Sequence, residues 1–169
     1  MVTHEEFLKQ IREATDSLGL LKLTIPNYLA RGFRPDLLVM CGVDEGDRVY
    51  IDAINTKASL DRDVGALLKL KANLDENCIS YRQVLGVFSD GIEQKYLDEF
   101  IALIGQNPKF LLIHHSMVKS ILKKLMLTSM LEKLEKLNQE KLERYFEEAC
   151  PRCGDLYEQE EFLKQNGNV

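Results

Sequence analysis

The hydrophobic positions of this chain change period several times, and each change marks an element. Thr3-His4-Glu5-Glu6 has the form of a capping box, with Glu6 three residues after the cap. Phe7, Ile11, Ala14 and Leu18 then recur at helical spacing until Gly19, a residue suited to ending a helix. Leu20–Ile25 reads as a first strand, interrupted by Pro26 and followed by a loop to Arg34. Two apolar runs, Leu37–Met40 and Val49–Ile54, then flank the turn-rich GVDEGD, which is a hairpin signature. Ser59 is positioned to cap a second helix whose apolar stripe is Leu60, Val64, Leu67, Leu68 and Leu74. Tyr81–Phe88 has strand composition. Asp90-Gly91-Ile92-Glu93 resembles another capping box, opening a helix that buries Tyr96, Leu97, Phe100, Ile101 and Ile104 and stops near Gly105. Asn107-Pro108 is a turn. Phe110–His114 is almost wholly apolar, as expected of a central strand covered on both faces.

From Ser116, read as a cap, a helical region free of Gly and Pro reaches Ala149. Val118, Ile121, Leu122 and Leu125 begin its stripe, and Leu127, Leu131, Leu134 and Leu137 continue it on a shifted face. Unbroken, it is ~50 Å long, more than a domain of this size covers. Either it bends near Thr128-Ser129 and packs back, or its second half extends outward and pairs with another copy as a homodimer.

The hairpin carries the chemistry. Asp36 stands at the entrance to its first strand and Lys57 at the exit of its second. Side chains alternate along a strand, so Ala53, Asn55 and Lys57 share one face while Asp52 and Ile54 share the other. An acid on one strand and an amide-x-lysine on its neighbour would meet at one sheet edge, where a divalent metal and a phosphodiester are gripped together. Asp52 becomes the acid only if a bulge rotates the strand.

Pro35-Asp36, a hairpin-sized gap and Asn55-Thr56-Lys57 resemble the core of the restriction-endonuclease-like nucleases, which include archaeal Holliday-junction resolvases. Their pattern is Pro-Asp, then Asp or Glu, any residue and Lys; here Asn55 replaces the second acid. The resemblance implies an α/β fold with an αβββαβ core, a mixed central sheet flanked by helices, and here a C-terminal helical extension. It implies a DNA-processing, metal-dependent endonuclease, a hydrolase in which Asp36 and Asn55 hold Mg²⁺ or Mn²⁺ and Lys57 activates water. Glu13, on the first helix, would complete the site. Asn55 brings no charge to a hard cation that favours carboxylates. The resemblance therefore leaves room for a catalytically impaired derivative, or for a non-catalytic DNA- or protein-binding dimer on the same fold. An unrelated α/β binding domain, in which Pro35-Asp36 merely starts a strand, is the third reading.

Composition narrows the setting. The 169 residues suit one domain with an appendage, and 45% apolar with 29% charged is ordinary for a soluble globular protein. No apolar run approaches the ~20 residues of a membrane span, and the N-terminus lacks a signal pattern, so a cytoplasmic protein without membrane contact is expected. The net charge of −5 is not that of a strong general nucleic-acid binder. It is uneven, however: Lys109–Tyr145 carries eight basic and four acidic residues. Those bases either follow a phosphate backbone or form a solvated helix face.

Residues 1–127 read as the nuclease-like domain, 128–149 as the helical extension and 150–169 as a tail. Cys41 and Cys78 read as small buried hydrophobes. Cys150-Pro151-Arg152-Cys153-Gly154 in the tail has the look of a zinc knuckle. Two thiolates are half of a structural site, which two copies of the chain would complete together; a redox pair or two unpaired thiols are the alternatives. His114 and His115 are adjacent, and in a strand adjacent side chains diverge, so they are expected to make a poor joint metal site.

Overall fold

A computed structural model of the chain describes residues 2–26 and 33–149. Helix α1 (His4–Ser17) starts in the expected capping box, with Thr3 Oγ1 accepting from the Glu6 N–H and Glu6 Oε2 accepting from the Thr3 N–H. It ends at Gly19 with a φ of 68°, where the Leu20 N–H reaches the Thr15 carbonyl. Strand β1 (Leu21–Lys22) is much shorter than the sequence suggested. Strands β2 (Leu37–Met40) and β3 (Arg48–Ile54) form the expected hairpin, closed by a 3-10 turn over Glu45–Asp47. Helix α2 (Lys57–Glu76), strand β4 (Gln83–Phe88), the short helices α3 (Gln94–Leu97) and α4 (Ile101–Gly105), strand β5 (Phe110–His114) and helix α5 (Val118–Ala149) complete the order.

The five strands form one mixed sheet in the order β1-β2-β3-β4-β5. β1, β2 and β3 are antiparallel neighbours, while β3, β4 and β5 run parallel. Alternation then sorts the core. Leu37, Val39, Val49, Ile51, Ala53, Leu85 and Val87 pack against Phe7, Leu8 and Ile11 of α1 and Val118 and Leu122 of α5. Leu38, Tyr50, Ile54, Val84 and Phe110 face the other way, onto Leu60, Val64, Leu67 and Leu74 of α2 and Leu97 of α3. The chain is therefore α/β, a mixed sheet with helices on both faces.

Four expectations about elements are corrected. Thr56, not Ser59, caps α2: its side chain accepts from the Ser59 N–H, so the helix starts three residues earlier. Asp90 caps no helix, because its carboxylate is taken by two histidines, and α3 begins after Glu93 with no side-chain cap bond. The helix expected after it is broken by a 3-10 turn over Asp98–Phe100, and Ile101 is exposed. β5 lies at the sheet edge rather than its centre. Of the two cysteines expected in the core, Cys41 is buried but Cys78 is exposed, with a φ of 54°.

One compact unit ends at Ser129 and a second begins at Met130. The first includes a polar staple. Arg82 Nη2 lies 3.0 Å from Asp47 Oδ1, and Asp47 also takes hydrogen bonds from the Asp44 N–H and the Ser129 side chain. α5 runs uninterrupted through Thr128 and Ser129, and its part in the second unit leaves Met130, Leu131, Leu134, Leu137, Leu142 and Tyr145 exposed. Among the described residues no helix is long and apolar enough to cross a membrane. Cys150 and Cys153 lie outside the described residues.

Candidate functional site: a carboxylate pair at one end of the sheet

Hairpin register decides which groups meet. Leu37 pairs with Ile51 and Leu38 with Tyr50, so the next step toward the open end sets Asp36 beside Asp52. By parity both belong on the α2 face, with Leu38, Tyr50 and Ile54. Asp36 Oδ2 accepts a 2.9 Å hydrogen bond from the Ala53 N–H, which fixes its carboxylate against β3. Asp52 is 5% exposed and needs no bulge to reach it.

Asp52 holds its proton unusually tightly. Burial disfavours its charged form most, the Asp36 charge and the side-chain hydrogen bond shared with Asp36 add to this, and Asp63 contributes more negative field. Together they push its pKa up to about 8. Like charges this close resist joint ionisation, and it is the buried Asp52 that keeps its proton.

Three further side chains bear on the pair. His4 Nε2, on the first turn of α1, is 3.6 Å from Asp36 Oδ1. Asp63 is buried on α2 and accepts a 2.9 Å hydrogen bond from Arg62 Nε. Arg62 projects into solvent and, with Asp63, His4, Asn55, Thr56 and Ser59, lines a cavity of about 450 Å³.

The residues singled out from sequence part company here. Asp36 is in the pair. Asn55 is not: its Nδ2 donates to the Val2 carbonyl at 2.7 Å and so ties β3 to the start of α1. Lys57 is the first residue of α2, not the end of β3, and its Nζ sits 3.5 Å from the centroid of the Tyr96 ring. Among the described residues it makes no ion pair with Asp36. Glu13 lies 3.9 Å from Lys9, one turn away on the same helix, and lines a separate cavity of about 460 Å³ with Val2, Glu6, Lys9 and Gln10. Helix α1 contributes His4 instead.

The donor set suits a hard divalent cation. Asp36 and Asp52 offer adjacent oxygens, and a cation bound there would displace the Asp52 proton. In the pattern of Asp-x-Lys read from Asp52, the third position is Ile54, which is fully buried. Sequence reasoning set Asp52 aside because it counted outward from Lys57 as though β3 continued. Thr56, a good cap residue, was the available signal that the strand had already ended.

Comparisons with models of known protein families, with curated proteins and with solved structures returned no match to this chain.

Proposed function

We propose that this chain is a DNA-processing, nuclease-like protein with a restriction-endonuclease-like core, in which Asp36 and Asp52 hold a divalent cation for phosphodiester hydrolysis. The observation that carries the reading is the pairing of half-buried Asp36 with buried Asp52 at one end of the hairpin, beside buried Asp63, where a positive charge would be welcome. The element order α1-β1-β2-β3-α2-β4, with Pro35-Asp36 leading into β2, agrees with it.

Bound there, Mg²⁺ or Mn²⁺ would supply Lewis-acid polarisation of a phosphoryl oxygen and a water of lowered pKa. The chain's own groups do the rest. The Ala53 N–H and His4 orient Asp36. Asp63 holds Arg62 at the cavity, where its guanidinium can take a phosphate oxygen. Asn55 anchors the start of α1, and Lys57 is a brace on Tyr96.

A second reading, a non-catalytic DNA- or protein-binding homodimer on the same fold, is favoured by Ile54: apolar and buried, it offers no ammonium beside the acids. The exposed Leu134 and Leu137 face of α5 would carry the dimer. The separating experiment is cleavage of supercoiled plasmid and branched DNA with Mg²⁺ or Mn²⁺. Cleavage lost in Asp36→Ala and Asp52→Asn supports the hydrolase; an inert wild type that still binds DNA supports the second reading.

A further inference from the structure

The second cluster at the same end of the sheet belongs to neither reading. Phe88 and His114, the last residues of β4 and β5, are register partners, so the segments leaving the two strands start side by side. Asp90 follows β4, and β5 turns at His114 into a 3-10 turn over His115–Met117. That turn cancels the strand alternation that would have separated the two histidines. His114 Nε2 comes to 2.7 Å from Asp90 Oδ1, and His115 Nε2 to 3.2 Å from Asp90 Oδ2. One ligand atom from each of the three residues lies within 4.8 Å of the others.

We propose that Asp90, His114 and His115 form a binding site for a late first-row divalent metal ion, of which Zn²⁺ is the type. Two imidazoles and one carboxylate are the donors such ions prefer, whereas Mg²⁺ favours oxygen alone.

The rings are held rather than free. His114 packs edge-on to Phe88 with centroids 5.3 Å apart, and His115 packs edge-on to Phe7 at 5.9 Å. Behind His114, Nδ1 stands 2.7 Å from Ser116 Oγ. An Nδ1–H donating to that hydroxyl leaves the Nε2 lone pair turned toward Asp90, the outer-shell arrangement that fixes a metal-binding tautomer. The Ser116 N–H, 3.4 Å from the same Nδ1, loses little in the exchange. Ligand atoms around a tetrahedral ion with bonds near 2.1 Å stand about 3.4 Å apart. The 2.7 and 3.2 Å contacts therefore need only a small outward movement of the Asp90 carboxylate. Its side chain is 80% exposed, so that movement disturbs no packing. Three protein ligands on an open surface leave a fourth position for water or an anionic group of a bound molecule.

The test is titration of the full chain with Zn²⁺ and Co²⁺ by calorimetry, in a Cys150→Ser, Cys153→Ser background so that no tail thiolate competes. Near-stoichiometric binding is expected, weakened at least tenfold by Asp90→Ala and by His114→Ala, and unchanged by Lys9→Ala. X-ray absorption of the Zn²⁺ form should show a nitrogen and oxygen shell. Because Asp90 is exposed, its variant should fold as the parent does, which circular dichroism checks. No binding by the parent, or binding untouched by Asp90→Ala, overturns the site. The result is independent of DNA cleavage.

Discussion

The carboxyl of Asp52 shares a hydrogen bond with the carboxylate of Asp36 across the β2–β3 register. Asp52 keeps its proton because it is buried and faces Asp36, with a third acid, Asp63, contributing negative charge nearby. The same arrangement costs stability and, in the function proposed above, would hold a cation, and the two consequences are separately measurable.

Without a divalent ion, stability should fall as pH rises. The folded chain keeps the Asp52 proton until about pH 8, whereas the unfolded chain releases it near pH 4. Between those values the unfolded state binds fewer protons, so rising pH favours unfolding, by at most about 1.4 kcal/mol per pH unit. Urea unfolding from pH 5 to 8 in chelator should show this slope, and Asp52→Asn should flatten it.

Under the proposed function, Lys57 and Arg62 should differ in their effect on DNA cleavage. The Lys57 ammonium is engaged with Tyr96, so Lys57→Ala should leave the rate within about twofold of the parent, no transition-state contact being removed. Arg62 lines the cavity, and losing one charge-assisted phosphate contact should cost about tenfold in kcat/KM. Steady-state cleavage of a short duplex measures both.

The staple at the hairpin loop should dominate local stability. Burial opposes the charge of Asp47, yet hydrogen bonds from the Asp44 N–H, Ser129 and Arg82 outweigh it and lower its pKa, so its contribution is present above the ordinary aspartate range and lost on acidification. Asp47→Ala removes the acceptor shared by the Arg82 guanidinium, the Asp44 N–H and the Ser129 hydroxyl and should cost about 3 kcal/mol. Gly42→Ala should also destabilise, because a Cβ there would collide with the Asp47 carboxylate and the Ser129 hydroxyl. Thermal unfolding monitored by circular dichroism reads both.

Cys78 occupies the left-handed position that ends α2, with the Ile79 N–H bonded to the Leu74 carbonyl. Glycine adopts that backbone without a Cβ penalty, so Cys78→Gly should stabilise by about 1 kcal/mol. Unfolding midpoints of the two proteins at one denaturant slope provide the check.

The sheet was legible because its signals are local. Thr3 with Glu6 starts α1, Gly19 stops it, and GVDEGD separates two β-rich runs. Those cues reproduced both hairpin strands and the alternation of strands and helices that follows. The site was harder, since it depends on register. The hairpin closes where the Cys41 N–H meets the Asp47 carbonyl, and that single bond sets Asp52, rather than Asn55, beside Asp36. Nothing in the composition of CGVDEGD fixes it. The histidine pair was misread for a related reason: His115 was assigned strand geometry, but the chain turns at His114. Asp90 looked like a cap because caps are common for Asp after a strand, and its partners lie 24 and 25 residues away in sequence.

The most direct test of the carboxylate pair is Mg²⁺ titration at pH 7 by calorimetry in buffers of different ionisation enthalpy. Mg²⁺ is chosen because it favours oxygen ligands and discriminates against the histidine cluster. Binding should release about one proton per ion, as Asp52 gives up its own. Asp52→Asn should abolish that release and weaken binding, and Asp36→Ala should weaken binding as well. Heats that do not vary with buffer, with an affinity indifferent to both substitutions, would contradict the account.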